Sequence, residues 1–238
     1  MRARPARPAA AGASAEGSGQ GRHEREDPRD AFVCAKAGTL MELEPGATIG
    51  TASLRRQAQT LYIRPDLGVV TLRGNVDTRL AKLESGVADA TFLAIAGLKR
   101  LGLAHRAASL IDPNDMPPAA CQGALAITAR ADDGRVRDML APFENADARV
   151  EIEAERAFLA ALDGSCRTPI GALGRVSADR LDFIGETLTP DGTTRWRHED
   201  SIALSGDRPA QAAALGARLG QRTREEAGGA IIPDTARA

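Results

Sequence analysis

The stretch at residues 47–57 has the sequence ATIGTASLRRQ. Its first half is apolar and β-branched, which is typical of a buried strand, and Ser53 is a residue type that commonly caps the N-terminus of a helix. Leu54, Ala58 and Leu61 then recur at helical spacing. The stretch therefore predicts a strand, a tight turn and a helix in immediate succession.

The same unit recurs along the chain on both sides of this stretch. Strand-like segments lie at residues 31–34, 67–72 and 88–96, and helical segments follow the last two, at residues 76–83 and from residue 97. Strands that alternate with helices through short connections predict a parallel sheet covered by helices. Ligands of such sheets bind beyond the carboxyl ends of the strands, where the helices begin.

The composition divides the chain into four parts. Residues 1–23 are rich in Ala, Arg, Pro, Gly and Ser without apolar periodicity, which predicts a disordered tail; a transit peptide, a tag or linker, or a wrongly chosen start codon also fits this composition. Residues 24–117 form a predicted α/β domain, with a parallel-type sheet and covering helices. Residues 118–143 form a connecting segment with a strand-like run at 120–127. Residues 144–238 predict a small α+β domain with three antiparallel strands and two helices.

The overall composition argues against several classes of function. A net charge of −1 and an aromatic content of 3% argue against a dedicated nucleic-acid binder. No apolar run approaches the ~18 residues that would span a bilayer. The three cysteines are far apart and in no metal-ligand spacing, which predicts reduced thiols in the cytoplasm rather than disulfides or a metal site.

Arginines cluster at the starts of two predicted helices. Three of the 31 basic residues are lysine and the rest arginine, an imbalance that codon bias in a GC-rich genome explains. Their positions are more informative, because Arg55 and Arg56 open one helix while Arg73 and Arg79 flank the start of the next. Cations oppose the helix dipole there, so the pattern favours a bound anion, and carboxylates suit the guanidinium fork best. Solvated surface arginines are the alternative interpretation.

The other candidate for chemistry is Cys166, within residues 163–171 (DGSCRTPIG). Gly164 and Ser165 leave space around its thiol, and Arg167 favours the thiolate. These surroundings fit a thiol that carries a large adduct. A small buried hydrophobe is the commoner role of a lone cysteine, and it is our assignment for the other two.

Several motifs, in order along the chain, resemble those of porphobilinogen deaminase, also called hydroxymethylbilane synthase. They are EREDPRDAFV at 24–33, GTASLRR at 50–56, LRGNVDTR at 72–79, AIAGLKRLG at 94–102, QGA at 122–124, AERAF at 154–158 and GSCRTPIG at 164–171. Their number and order make the resemblance specific from about residue 24 to the end of the chain.

The resemblance implies a transferase of tetrapyrrole (heme) biosynthesis, which joins four porphobilinogen molecules head to tail, releases ammonia and yields hydroxymethylbilane. It implies a dipyrromethane cofactor, attached through a thioether to Cys166, whose acetate and propionate groups lie against arginines. The residues that it implies at the cofactor site are Cys166, Thr51, Ser53, Arg55, Arg56, Arg73, Arg79 and Gln122. It implies a periplasmic-binding-protein-like fold for residues 24–117 and a crossover segment at 118–143 that returns to a first domain. It further implies a small-molecule substrate, no nucleic-acid or membrane partner, a monomer and a cytoplasmic location.

The resemblance also has a gap. Members of the family carry a first domain ahead of the segment at 24–33, with a His-Ser-Met-Lys-Asp motif whose aspartate is the catalytic acid/base, and this sequence has no such motif. We therefore expect a truncated chain whose crossover strand lacks sheet partners. We also expect it to release no ammonia by itself, because protonating the leaving amine needs a positioned acid. The alternatives are a non-catalytic remnant that binds a polycarboxylate ligand, and a solute-binding domain without a covalent cofactor.

Overall fold

The computed structural model describes residues 10–12, 25–162, 164, 168–228 and 230. Most of the predicted tail and the predicted tether, Cys166, lie outside these residues. The helices and strands follow in the order β1 (Ala10–Gly12), β2 (Asp30–Cys34), β3 (Thr48–Gly50), α1 (Leu54–Ile63), β4 (Gly68–Val70), α2 (Val76–Glu84), β5 (Ala90–Ala94), α3 (Ile95–Arg100), β6 (Ser109–Leu110), β7 (Ala126–Thr128), α4 (Gly134–Leu140), α5 (Ala146–Ala161), β8 (Ile170–Ser177), β9 (Arg180–Leu188), β10 (Arg195–Ala203) and α6 (Arg208–Ala227).

The larger sheet has five strands in the order β4-β3-β5-β2-β6. The parallel prediction is confirmed for its centre, where β3 runs parallel to both β4 and β5. In contrast, β2 runs antiparallel to β5 and β6, so the sheet is mixed. The register pairs Asp30, at the start of β2, with Ala94, at the end of β5. The reversed direction of β2 therefore places Asp30 at the edge where the parallel strands end and their helices begin.

Both faces of this sheet are buried. Consecutive β2 side chains point to opposite faces, and each face packs against its own hydrophobic cluster. Phe32 packs with Ile49 and Phe92 on one face, and the ring centroids of Phe32 and Phe92 are 5.7 Å apart. Val33 packs with Leu80 and its neighbours on the other face. The sheet is thus a rigid support for the turns that follow its strands.

The smaller sheet confirms the predicted three antiparallel strands and two helices. Its strand order is β10-β9-β8, and α5 and α6 pack together over it. Phe158 of α5 contacts Phe183 of β9, with ring centroids 5.5 Å apart. The two helices approach closely at Gly216, where an added Cβ atom would lie 2.0 Å from the Ala154 carbonyl oxygen. The β9–β10 hairpin brings Gly192 against α1, which docks this sheet on the larger one.

The predicted strand at residues 120–127 is wrong for most of its length. A turn occupies residues 120–123, with positive φ angles of 65° at Cys121 and 83° at Gly123, which an extended strand does not allow. Only β7 is extended, and it pairs antiparallel with β1. The expectation that this strand lacks a partner is therefore also wrong, and the partner lies within the segment predicted to be disordered.

Within the described part of the chain, no helix combines the length and the hydropathy needed to cross a membrane. The same residues contain no group of three or more His, Cys, Asp or Glu side chains arranged to bind a metal ion.

Candidate anion-binding site

The turn between β3 and α1 is held by the side chains that the sequence singles out. The Ser53 hydroxyl accepts a hydrogen bond from the Arg56 backbone N–H (3.4 Å), which confirms the predicted cap. The Thr51 hydroxyl in turn accepts one from the Ser53 backbone N–H (3.1 Å). The backbone N–H groups of Leu54 and Arg55 have no acceptor among the described residues, as is usual in the first turn of a helix. This helix end therefore retains donors and a positive dipole for an anion.

Arg55 and Arg56 extend inward and share one buried carboxylate. Arg55 Nη2 donates to Asp30 Oδ2 (2.9 Å), and Arg56 Nη2 donates to Asp30 Oδ1 (2.7 Å). Asp30 is only 1% exposed, and the two arginines are 4% and 7% exposed. Burial alone would raise the pKa of Asp30, but the charges of Arg55 and Arg56 outweigh it and hold that pKa well below its usual range. Asp30 is therefore an ionised counter-charge at every physiological pH.

Gln122 completes this buried cluster from the turn at residues 120–123. Its side-chain amide donates to Asp30 Oδ1 (2.8 Å) and to the Pro28 carbonyl oxygen (2.7 Å). This turn lies against the backbone of Glu26, whose N–H donates to the Gly123 carbonyl oxygen (3.0 Å). The approach is so close that an added Cβ atom at Gly123 would lie 2.2 Å from the Glu26 carbonyl oxygen. Gln122 therefore joins the two inner arginines through Asp30, from a turn and not from a strand, while its contact with a cofactor stays a prediction.

Arg73 and Arg79 form the outer part of the site, around the N-terminus of α2. Asn75 caps that helix by accepting a hydrogen bond from the Thr78 backbone N–H (2.9 Å). Arg79 is half-buried and donates from Nε to the Gly74 carbonyl oxygen (2.8 Å), and Arg73 is exposed. No carboxylate pairs with either guanidinium group among the residues that the structure describes. These two side chains are therefore available to an external anion.

The positive charge of the inner Arg56 acts on the outer Arg79. Burial and the positive charge of Arg56 lower the pKa of Arg79. Asp30 supplies one negative charge against the positive charges of Arg55 and Arg56, so the buried cluster keeps an excess of positive charge. An incoming carboxylate would relieve this repulsion at Arg79. Direct contact of Arg55 and Arg56 with a ligand stays a prediction, since both already have a protein partner.

Sequence reasoning missed Asp30, the residue around which the inner cluster is built. The signal was present in the sequence, because Asp30 directly precedes the apolar run of residues 31–33 and an acidic side chain at the start of a buried strand needs a cationic partner. The partners lie 25 and 26 residues away, and only the antiparallel direction of β2 brings them together.

The segment around the predicted tether is described only at its flanks. The Gly164 backbone N–H donates to the Leu159 carbonyl oxygen (2.9 Å) and closes the end of α5, in agreement with the predicted terminator. On the other side, the Pro169 carbonyl oxygen accepts a hydrogen bond from the Leu188 backbone N–H (3.2 Å). Both flanks of residues 165–167 are thus anchored to the C-terminal helices and strands.

Comparison with known proteins assigns the chain to a family. Residues 19–138 match the family model described as porphobilinogen deaminase, dipyromethane cofactor binding domain, and residues 149–225 match the model described as porphobilinogen deaminase, C-terminal domain. The chain belongs to the porphobilinogen deaminase family. The resemblance noted from the motifs is thereby confirmed, and the fold agrees with it. The domain boundaries at 23/24, 117/118 and 143/144 stay predictions.

Curated members of the porphobilinogen deaminase family are closely similar to this chain. The porphobilinogen deaminase of Caulobacter vibrioides (strain NA1000 / CB15N) is 53% identical over 214 residues, which are 88% of this chain and 65% of the relative. That of Nitrobacter winogradskyi is 51% identical over 204 residues, 86% of this chain and 63% of the relative. That of Caulobacter sp. (strain K31) is 54% identical over 210 residues, 88% and 66% respectively. The chain thus spans slightly less than two thirds of the length of these relatives.

Proposed function

We propose that this chain serves in hydroxymethylbilane synthesis, in which a transferase polymerises four porphobilinogen molecules with release of ammonia. Arg73 and Arg79 carry this proposal, because their guanidinium groups have no carboxylate partner among the described residues and lie where the parallel strands end. A growing pyrrole chain adds acetate and propionate groups with each unit, and planar guanidinium groups bind carboxylates in a bidentate geometry. The role of these arginines is to bind and orient those groups.

The donor set at this site fits a dipyrromethane, the cofactor in the name of the matched family model. Its carboxylates would be held by Arg79, Arg73 and the N-terminus of α1, and Cys166 would attach it through a thioether. When bound, it supplies the end on which the pyrrole chain grows. Thr51 and Ser53 would contribute by holding the turn that presents the backbone donors of α1.

Proton transfer is the part of the reaction for which the described site offers no group. Asp30 is the carboxyl group at the inner arginines, and its lowered pKa keeps it ionised and unable to donate a proton. This observation favours a second candidate function, the binding of a polycarboxylate ligand without catalysis. The two functions share the same anion site. Turnover of porphobilinogen with release of ammonia would exclude the binding-only function, whereas we expect no release from this polypeptide alone.

The proposed attachment is tested by the intact mass of the purified protein. We expect a mass excess equal to one dipyrromethane, which the Cys166→Ser variant lacks and the Cys34→Ser variant retains. Cys34 is the matched control because it is partly buried beside the core of the larger sheet and far from residues 164–168 in sequence. An adduct that survives Cys166→Ser, or one that Cys34→Ser also removes, would contradict attachment at this cysteine.

We further propose a monomer in the cytoplasm that acts on the small molecule porphobilinogen and binds no nucleic acid. The net charge of −1 supports this proposal, since nucleic-acid binders need a basic surface. The three cysteines support a reducing compartment because their number is odd and their spacing is wide.

A further inference from the structure

A buried chain of hydrogen bonds leads from the inner arginines to the smaller sheet. Arg55 Nη1 donates to Gln59 Oε1 (2.8 Å), and Gln59 Nε2 donates to Glu186 Oε1 of β9 (2.7 Å). The Pro117 carbonyl oxygen accepts from both Arg55 Nη1 (3.0 Å) and Gln59 Nε2 (2.9 Å). Gln59 is 1% exposed and Glu186 is fully buried. The orientation of Arg55 on Asp30 is therefore connected, through one glutamine, to a carboxyl group of the other sheet.

Two buried polar atoms in this series of hydrogen-bonded side chains have no hydrogen-bond partner among the described residues. They are Arg55 Nε and Glu186 Oε2. The nearest cation to Glu186 Oε2 is Arg197 Nη1, at 3.9 Å, but Arg197 is already bonded to Glu199 and to the Asn114 carbonyl oxygen. A fully buried carboxylate with one hydrogen bond is costly when it is charged, whereas a neutral carboxyl group costs much less.

The groups that face Glu186 come from two elements besides its own strand. Gln59 and Arg55 approach from α1, and Arg195 and Arg197 lie on the adjacent strand β10. Burial raises the pKa of Glu186 against the hydrogen bond from Gln59 and the three arginine charges. The cationic surroundings are thus insufficient to offset the effect of burial on the pKa of Glu186.

We propose that Glu186 is a positioning residue, whose proton determines how firmly Gln59 holds the Arg55 guanidinium on Asp30. With its proton, Glu186 is neutral and Arg55 stays on Asp30. When the proton leaves for solvent as the pH rises, the buried negative charge attracts the unpartnered Nε–H of Arg55. Asp30 then shares this arginine with Glu186, and the inner cluster at the anion site loosens. The proposal concerns the protein without ligand, so it is independent of the function proposed above.

The test is an NMR titration of the wild-type protein between pH 4 and 8. Two signals are followed, the side-chain carboxyl carbon of Glu186 and the guanidinium nitrogens of Arg55. We expect both to titrate together, with a midpoint above 4.5, the ordinary value for a glutamate. In Glu186→Gln the Arg55 signals should stay at the low-pH position of the wild type throughout. Asp30 does not confuse the result, because its pKa lies well below this range.

The proposal is overturned if the titration midpoint of Glu186 is at pH 4.5 or below. It is also overturned if the Arg55 signals do not change as Glu186 titrates. The wild-type titration alone decides this should Glu186→Gln fail to fold. Asp182→Asn is the matched control, because Asp182 lies on the same strand as Glu186, pairs with Arg180 from an exposed position and should leave the Arg55 titration unchanged.

Thermal unfolding gives a second measurement of the same proton. A raised folded-state pKa stabilises the protein below the unfolded-state value, and this stability is lost as the pH rises through the folded-state value. The melting temperature of the wild type should therefore fall relative to Glu186→Gln between pH 4 and 8, by about 3–5 °C for each unit of pKa shift. A constant difference over that range would contradict the proposal.

Discussion

Replacing Asp30 by asparagine should cost about 3–5 kcal/mol of unfolding free energy, as is typical when one partner of a buried ion pair is removed. Asparagine keeps the shape of the side chain but leaves two buried arginines, Arg55 and Arg56, without a counter-charge. Since a domain is stable by about 5–15 kcal/mol in total, the variant should be marginally folded. Urea unfolding followed by circular dichroism measures the difference.

Asp66→Asn is the matched control for Asp30→Asn. Asp66 also forms two hydrogen bonds to one arginine, Arg64, at 2.8 and 2.6 Å, but from an exposed position. Its replacement should leave the unfolding midpoint almost unchanged. Equal effects of the two substitutions would show that the buried cluster is not the special feature that we describe.

The effect of Asp30 should depend on pH with a definite sign. Its folded-state pKa is lowered, so its stabilising contribution is present above the unfolded-state value of about 3.9 and is lost as the pH falls below it. The difference between wild type and Asp30→Asn should therefore be constant near neutral pH and shrink in acid. A difference that grew on acidification would contradict the ionised state assigned to Asp30.

Replacing Arg25 by alanine should be of similar severity, about 3–5 kcal/mol. Arg25 forms a fork with Glu155 (2.7 and 3.0 Å) and also donates to the Gln122 carbonyl oxygen. Burial would lower the pKa of Arg25, but the charge of Glu155 outweighs it and raises that pKa. Glu155 is fully buried and also accepts hydrogen bonds from the backbone N–H groups of Cys121 and Gly174, so its charge would be left without a cation.

The controls for Arg25→Ala are Arg25→Lys and Arg149→Ala. The unfolding free energy of each variant is measured by urea unfolding. Arg25→Lys keeps the charge but cannot form the two-pronged contact, so we expect it to recover only part of the lost stability. Arg149 is an exposed arginine near the start of α5, the helix that carries Glu155, and it pairs with Glu144 (2.8 Å). Arg149→Ala should cost about 0–1 kcal/mol. Full recovery by lysine would show that geometry is unimportant at this position.

The regular part of the fold could be predicted because its signals are local. Residues 47–57 predicted a strand, a capped turn and a helix. The structure has β3, the Ser53 cap and α1 in those places. The three strands and two helices that follow residue 144 were equally readable from apolar periodicity and from Gly192 in the hairpin turn. In each case the residues that decide the conformation are neighbours in the sequence.

The remainder depends on contacts between distant residues. Nothing near Asp30 indicates that β2 runs antiparallel, yet this direction brings the carboxylate to Arg55 and Arg56. The apolar run at 120–127 suggested a strand, but Cys121 adopts a positive φ and its backbone N–H donates to the distant Glu155 carboxylate (2.6 Å). Residue type alone does not reveal such constraints. The division into inner and outer arginines was for the same reason invisible in the sequence.

We propose that Arg73 and Arg79 bind external carboxylates first, while the Arg55 guanidinium stays paired with Asp30. The direct measurement is an NMR titration of the arginine guanidinium signals with porphobilinogen at constant pH. We expect the Arg73 and Arg79 signals to shift in a saturable way, while those of Arg55, held on Asp30, keep their positions. A shift at Arg55 with none at Arg73 and Arg79, or no shift at any of the three, would contradict the claim.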